Sequence, residues 1–446
     1  MTKAPPPFSD AFNAIAQQMG ADAYALADRL FPIPRSLTGN GVRQSLEILK
    51  ELIPDLQVHE IASGTNVLDW VIPDEWNIRE AYIEDLNGNR IIDFADNNLH
   101  VMGYSEPIDA VIDLETLDGH LFCDPDHRDA IPYVTSYYRR TWGFCMSQAQ
   151  RDTLDQKQYR VKIDSTLAPG SLTYADVVIK GESSDEIMLS TYICHPSMAN
   201  NEVSGPALAT MLIRWLKTQK NKYSYRFVFA PETIGGITYI SQNLDTLRNN
   251  VKAGFQLSCV GDNRVVTFLS SRDEDTLADR IALHVLNHRA PGFLRRSFLK
   301  NRGSDERQYC SPGVDLPFVS IMRSMYAEYP EYHTSLDDMS IISPEGFELS
   351  FALHASCMNV LEKNATWKAL KLCEPHMSKY GLYPTTGSGK TYPSDMIKLT
   401  MDVLMYADGR RDTLSMAELF EQPFEIIDEI CETLASHGLL GRVNIE

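Results

Sequence analysis

Residues 190–206 read Ser-Thr-Tyr-Ile-Cys-His-Pro-Ser-Met-Ala-Asn-Asn-Glu-Val-Ser-Gly-Pro. The apolar run that leads into this segment, Ile187 to Ile193, predicts a buried strand that ends just before His195. A polar loop follows, and Ser204 is placed to cap the next helix. Ligands and catalytic groups of open α/β sheets collect at the carboxyl ends of the strands. A histidine there, followed within seven residues by two amides and a carboxylate, predicts half of a metal site.

The composition is that of a globular chain and excludes some classes of partner. The chain has 446 residues, of which 43% are hydrophobic and 23% charged. Its formal net charge of −19 argues against non-specific binding to nucleic acid and against docking on an anionic membrane. The eight cysteines form no Cys-x-x-Cys pair, and the first ten residues contain no apolar signal region. We therefore expect reduced thiols, no membrane association and a cytoplasmic location.

Three regions differ in their hydrophobic patterning. Strands alternate with helices from about residue 171 to 363, which predicts an α/β fold with a mostly parallel sheet. Residues 65–170 contain short alternating strands between turn residues and predict an inserted β-rich domain. We therefore place the α/β core at 1–64 and 171–365, and a helix-turn-helix or winged-helix domain at 366–446. Core strands are predicted at Glu186–Ile193, Tyr225–Ala230, Ala253–Val260, Val265–Ser270 and Leu316–Met322, and helices at 205–218, 235–246, 274–290 and 344–363.

A second candidate segment, Tyr225–Gly236, ends an alternating strand in a proline, a glutamate and a glycine-opened helix. Glu232 is thus predicted at the same sheet edge as His195. A carboxylate in that place can act as general base on a water that a metal ion activates. The alternative is a carboxylate that only stabilises the start of the helix through its dipole.

Two charged loops supply the remaining candidates. In Arg302–Arg307, either Asp305 or Arg307 can orient a ligand or a histidine; the alternative is a solvated charge cluster. In Glu328–Asp338, His333 lies between aromatic residues and is followed by hydroxyls and two aspartates. This pattern is typical of a metal ligand with its supporting groups, although a surface-loop histidine is the alternative. Together, the segments favour a metal-dependent hydrolase site.

The order and the residues of these segments resemble those of a known family, the co-catalytic zinc aminopeptidases, whose clan includes the glutaminyl cyclases. The sequence is most similar to a bacterial branch of aminopeptidase-like proteins that is often encoded with polysaccharide-biosynthesis genes. Motifs of that branch are found at 194–205, 231–235, 303–309 and 331–335, and shorter ones at 69–73 and 142–145. The resemblance implies a phosphorylase/hydrolase-like zinc peptidase core, an inserted β-rich domain and a C-terminal winged helix.

The resemblance also implies roles for single residues. His195 and His333 match the two histidine ligands, Glu232 matches the general base, and Asp305 matches an aspartate that supports the site. Three acidic ligand positions of true aminopeptidases are neutral here, since they fall on Asn201, on Thr233 and near Ser258. A site with so few carboxylates would hold two Zn²⁺ ions poorly. We therefore predict one zinc ion, with a third ligand from Asn201 or Glu202.

The leading hypothesis of function is a cytoplasmic zinc-dependent hydrolase that cuts an amide-type bond in a small aminoacyl or acylated substrate. The alternative is a catalytically degenerate peptidase scaffold that binds a ligand or partner in polysaccharide biosynthesis. An aromatic segment, Tyr133–Phe144, either lines a sugar or peptide cleft or packs the core of the β-rich domain.

The C-terminal helices raise a third hypothesis, a DNA-binding regulator. From Asp395 to Glu446 there are four basic and eleven acidic residues, and the helix predicted at Pro423–His437 contains no Lys or Arg. Because neutralising phosphates supplies much of the affinity of such domains, this one is predicted not to bind nucleic acid. We expect it to bind a protein partner or to form a homo-oligomer.

Overall fold

A computed structural model describes residues 9–382 and 395–443 of the chain. The residues form two compact units. The larger unit comprises 9–279 and 293–352, and the smaller unit comprises 280–292 together with the described residues from 353 onward. Among the described residues, no helix combines the length and the apolar character needed to cross a membrane.

The larger unit is built on an eight-stranded mixed sheet, which confirms the predicted α/β class. Its central strand, Glu186–Tyr192, pairs in parallel with Ser224–Ala230 on one side and with Val251–Gln256 on the other. Every residue of the first two of these strands is buried, as expected for parallel strands covered on both faces. Across the sheet the strands follow the order Gln57–Ala62, Ser171–Ile179, Ser224–Ala230, Glu186–Tyr192, Val251–Gln256, Phe318–Met322, Thr267–Leu269 and Leu294–Arg296.

Helices cover the sheet because their apolar faces need a partner surface. Helix Ser204–Leu216 is buried along nearly its whole length and begins close to the central strand. A side chain at Gly205 would place its Cβ 2.2 Å from Thr191 Oγ1, so only glycine permits this approach. The longer helices of the described residues are Asp10–Leu30, Asn40–Leu52, Ser204–Leu216, Ile234–Asn250, Leu277–Arg289, Pro344–Lys363 and, in the smaller unit, Phe424–Ser436.

The prediction that Ser204 caps this helix is wrong. Residues Ala199–Val203 form a π-helical turn that continues directly into the helix, and Ser204 is the first residue of the helix, with no side-chain cap at its start. Ser204 instead donates its hydroxyl to the carbonyl of Asn200.

A second, four-stranded antiparallel sheet lies within 75–168, in the region predicted to be β-rich. Trp76, Ile83 and Val161 contribute to its buried side. Its strands are Arg90–Asp93, Glu75–Glu84, Gln158–Ala168 and Ile108–Asp113, in that order. Two short pairs flank it: Asn66–Val67 with Trp70–Val71, and Leu121–Phe122 with Phe144–Cys145. The domain boundaries at 64/65, 170/171 and 365/366 stay a prediction.

The smaller unit contains the predicted winged helix. Three helices, Asp395–Tyr406, Thr413–Leu419 and Phe424–Ser436, pack with a three-stranded antiparallel sheet. In that sheet Thr366–Ala369 lies between Asp408–Asp412 and Leu440–Arg442. Trp367 is fully buried at the centre of the unit, and its indole N–H donates to Thr413 Oγ1 at 2.9 Å.

Short helical turns occur in the connections, at Asn98–His100, Leu114–Asp118, Gln148–Arg151, Phe298–Asn301, Glu306–Tyr309 and Met377–Tyr380.

Candidate metal centre

The central strand delivers His195 to the carboxyl edge of the sheet, as the sequence predicts. His195 is buried, and its Nδ1 lies 2.8 Å from Glu202 Oε2. The other oxygen of Glu202 accepts the backbone N–H of Cys194. Burial opposes a charge on the imidazole, but contacts with Cys194 and Glu202 outweigh it and raise the pKa of His195 well above its usual value. The contact with Glu202 fixes the ring and leaves Nε2 on the opposite side.

Arg35 completes the support of this histidine. Its Nε donates to the backbone carbonyl of His195 at 3.0 Å and lies 3.8 Å from Glu202 Oε1. Both side chains are buried, so the guanidinium is the countercharge for the Glu202 carboxylate. Burial lowers the pKa of Arg35, while Glu202 opposes that shift. Sequence reasoning did not foresee this role, because the contact spans 160 residues.

The π-helical turn after His195 is anchored by Asp337. One oxygen of this carboxylate accepts the N–H groups of Ala199 and Asn200, and the other accepts the N–H of Asn201 at 3.0 Å. Tyr329 donates its hydroxyl to the same carboxylate at 2.8 Å. Burial raises the pKa of Asp337 to about 6. Asp337 is one of the two aspartates that the sequence pattern around His333 associated with a supporting role.

Asn201 leaves an unused acceptor at the site. Its amide nitrogen donates to Tyr192 OH at 2.8 Å, and the Tyr192 ring lies 5.4 Å from that of His195. Its Oδ1 is buried and has no hydrogen-bond partner among residues 9–382 and 395–443. Ser258 Oγ is also buried and has no hydrogen-bond partner among these residues. A buried polar atom without a partner costs free energy, so these atoms indicate a place for a ligand, an ion or water.

Glu232 lies on the free side of the His195 ring. Its Oε2 is 3.6 Å from His195 Nε2, and its side chain is 23% exposed. Its backbone N–H donates to Cys194 Sγ at 3.2 Å, which ties the ends of two neighbouring strands together. Burial raises the pKa of Glu232, while the charges of His195 and Arg307 oppose the shift.

Hydrogen bonds with two neighbouring residues hold Thr233, which follows Glu232, in a strained conformation. Thr233 has a φ of 63°, which is rare for a β-branched residue. Its N–H donates to Asp305 Oδ1 at 2.7 Å, and its hydroxyl accepts from Arg307 Nη2 at 2.8 Å. Asp305 is buried, and burial together with the nearby charge of Glu232 raises its pKa well above the usual range. Asp305 thus acts on Glu232 through the backbone of Thr233.

His333 lies in the loop between strand Phe318–Met322 and helix Pro344–Lys363, and its ring faces that of His195. Their ring centroids are 5.4 Å apart, and Tyr332 stacks on His333 at 3.9 Å. Burial lowers the pKa of His333 to about 3, with a further contribution from His195. The imidazole is therefore neutral near pH 7 and keeps a lone pair available for a metal ion.

Two residues of the aromatic segment, Tyr133 and Phe144, lie in different surroundings. Tyr133 lies at the site, with its ring 5.0 Å from that of His195 and 5.2 Å from that of His333. Its hydroxyl is 3.0 Å from that of Tyr137, and its N–H donates to the carbonyl of His333. Phe144, in contrast, is fully buried in the core.

The two histidines lie close enough to share one divalent ion. Their ring centroids are 5.4 Å apart, and imidazole nitrogen is a common ligand of zinc. Asn201 Oδ1 offers a neutral third donor. Cys194, His195 and Glu202 also have ligand atoms within 4.8 Å of one another. A metal ion among these three residues would have to replace the hydrogen bond between His195 and Glu202. We therefore place the candidate ion on the opposite side of the His195 ring, next to Glu232.

Comparison with known proteins places the chain among its relatives. Residues 24–364 match a family described as a domain of unknown function, DUF4910, and residues 365–442 match a winged helix-turn-helix family. A Clostridium acetobutylicum protein, described as a polysaccharide biosynthesis protein with aminopeptidase-like domain, is 43% identical over 96% of this chain and 98% of its own length.

Solved structures extend the comparison to the fold. The crystal structure of a candidate peptidase from Clostridium acetobutylicum superposes with a TM-score of 0.91 at 40% identity and covers 97% of this chain and 99% of its own. A zinc aminopeptidase from Bacillus subtilis shares the fold alone, with a TM-score of 0.56 at 13% identity over 77% of this chain and 94% of its own. The chain therefore belongs to the DUF4910 family of aminopeptidase-like proteins, with a C-terminal winged helix.

Proposed function

We propose that this protein is a zinc-dependent, aminopeptidase-like hydrolase that cuts the amide-type bond of a small aminoacyl or acylated substrate. The observation that carries the proposal is the position of the Glu232 carboxylate, 3.6 Å from the free Nε2 of His195, with His333 facing the same ring. An acid–base group beside two imidazoles that are free to bind one ion is the arrangement that metal-assisted hydrolysis needs.

His195 Nε2, the His333 ring and Asn201 Oδ1 would hold the ion, and Glu202 would orient His195 rather than bind metal. When bound, zinc supplies a Lewis acid that polarises the carbonyl and lowers the pKa of water. Glu232 accepts a proton from the attacking water as the new C–O bond forms, and returns it to the leaving nitrogen as the C–N bond breaks. The products are a carboxylic acid and an amine. Tyr133, which packs against both histidines, limits the access of bulk water to them.

Asp305 and Arg35 are positioning residues in this scheme. Asp305 holds the Thr233 N–H and so sets the direction of Glu232. Arg35 balances the charge of Glu202, which in turn holds the Nδ1 side of His195. The description of the Clostridium relative supports an acylated sugar compound as one class of substrate.

Zinc content separates this proposal from the degenerate-scaffold alternative. The chain purified without added metal or chelator should contain about one zinc ion, measured by mass spectrometry of the metal. The variants His195→Ala and His333→Ala should lose it. Glu232→Gln should retain the metal and lose hydrolysis of N-acyl and aminoacyl amides. His437→Ala removes an exposed histidine from the smaller unit and should behave as wild type.

A zinc affinity of the wild type no better than that of both histidine variants would overturn the proposal and favour a binding scaffold. Hydrolysis that survives Glu232→Gln would remove this carboxylate from the mechanism.

A further inference from the structure

The carboxylates around the two histidines accept hydrogen bonds from within the described chain, with one exception. Those that are at most 1% exposed each accept hydrogen bonds from within the chain: Glu202, Asp305, Glu306 and Asp337. Glu232 is the exception, because it is partly exposed and faces His195. In the proposed reaction this group is committed to proton transfer. Glu306 binds through Oε1 alone, and its Oε2 is buried without a hydrogen-bond partner in the described part of the chain.

The same edge of the sheet also carries an exposed cationic side chain. Arg307 is exposed, and Nη2 donates to the Thr233 hydroxyl, one residue from Glu232. Its charge acts on Glu232 and Asp305 and opposes the rise in their pKa values. No carboxylate in the described part of the chain lies within 4.0 Å of the guanidinium nitrogens. Guanidinium N–H groups in this position match the oxygens of a carboxylate or phosphate.

We propose, on the basis of the hydrolase function above, that Arg307 binds an oxyanion of the substrate. The substrate class is then an N-acylated compound with a carboxylate or phosphate near the scissile amide. Thr233 fixes the guanidinium relative to Glu232, so the anion is bound beside the group that transfers the proton. Arg307 is in this view a specificity-determining residue.

Binding is best measured in the zinc-loaded Glu232→Gln chain, which does not turn over its ligands. Calorimetry would compare an N-acetyl amino acid with its carboxamide, and N-acetylglucosamine phosphate with N-acetylglucosamine. In at least one pair the anionic member should bind about 10-fold or more tightly, as expected for a charge-assisted hydrogen bond. Adding Arg307→Gln should abolish that preference, and Arg307→Lys should restore part of it. The pair that shows the preference identifies carboxylate or phosphate as the bound group.

Arg302→Gln is the matched control. Arg302 is an exposed arginine of the same loop, but its guanidinium donates to the carbonyl of Leu299. This variant should keep the preference. A preference that survives Arg307→Gln, the absence of a preference in both pairs, or no binding by any probe would overturn the proposal. Failure of the hydrolase function would instead appear as loss of zinc or of amide hydrolysis in the wild type.

Discussion

At the scale of single residues, Arg35 and Glu202 form a buried ion pair that supports the candidate metal centre. Their side chains are 1% and 0% exposed. Such a pair adds little net stability compared with apolar residues, but removal of one partner leaves an uncompensated buried charge. Glu202 also holds His195 and the Cys194 N–H, so the pair links the positioning of a candidate metal ligand to the stability of the sheet edge.

We expect Arg35→Met to lower the free energy of unfolding by about 3–5 kcal/mol, because Glu202 is then buried without its countercharge. The double variant Arg35→Met/Glu202→Gln should cost less than the sum of the two single variants, since the removed charges compensate each other. Urea unfolding of the four proteins measures this coupling. Strictly additive costs would show that the two side chains do not interact.

Local patterning of the sequence predicts the site residues that follow strands, but it does not predict contacts between distant segments of the chain. His195 and Glu232 follow apolar runs, so their place at one sheet edge could be inferred from local patterning. Arg35 lies in a connection between two helices, and nothing in its neighbourhood indicates that it contacts His195. The sequence around Thr233 does not indicate its left-handed conformation either, because contacts with Asp305 and Arg307 impose its φ of 63°.

At the scale of elements, Arg43 joins helix Asn40–Leu52 to the two sheets of the larger unit. Its guanidinium binds Glu75, at the start of strand Glu75–Glu84, through two hydrogen bonds of 2.8 and 2.7 Å. It also donates to Ser171 Oγ, at the start of a strand of the main sheet. The hydrogen bonds from Arg43 lower the pKa of Glu75 from 4.5 to about 2, although burial opposes the shift.

This contact predicts a pH dependence of stability. Because the pKa of Glu75 is lower in the folded chain, its contribution is complete above pH 4.5 and is lost as the pH falls towards 2. Glu75→Gln should therefore cost about 2 kcal/mol at pH 7, after allowance for solvent screening, and much less near pH 2.5. Urea unfolding across this range measures the effect. Glu47→Gln, at an exposed position of the helix that carries Arg43, should show no such dependence, and equal profiles would contradict the assignment.

Most of the elements of the core were predictable, and the exceptions have physical reasons. The buried strand Glu186–Tyr192 is one residue shorter than predicted, and helix Pro344–Lys363 matches the prediction. The edge strand Gln57–Ala62 was missed because its residues are exposed or half-buried and give no apolar signal. The strand predicted at Ala253–Val260 ends at Gln256, since Cys259 adopts a left-handed φ of 53° that no local sequence rule requires.

At the scale of the whole molecule, the net charge of −19 and the winged helix lead to opposite expectations about DNA. Winged-helix domains that bind DNA need a basic surface to neutralise phosphates. In the smaller unit, helix Phe424–Ser436 carries exposed acids at Glu425, Glu429 and Glu432, which lie on one face at helical spacing. A role in protein association stays a prediction for this unit.

We therefore expect no binding of duplex DNA by the full chain at 50 to 200 mM salt, because the acidic face of this helix repels the phosphate backbone. Fluorescence anisotropy of a labelled duplex measures this directly. The informative control is a variant in which glutamine replaces Glu425, Glu429 and Glu432 together. If affinity appears only in that variant and weakens steeply with salt, the acidic face is what prevents binding. Salt-dependent affinity of the wild type would contradict the expectation and place a basic surface elsewhere on the molecule.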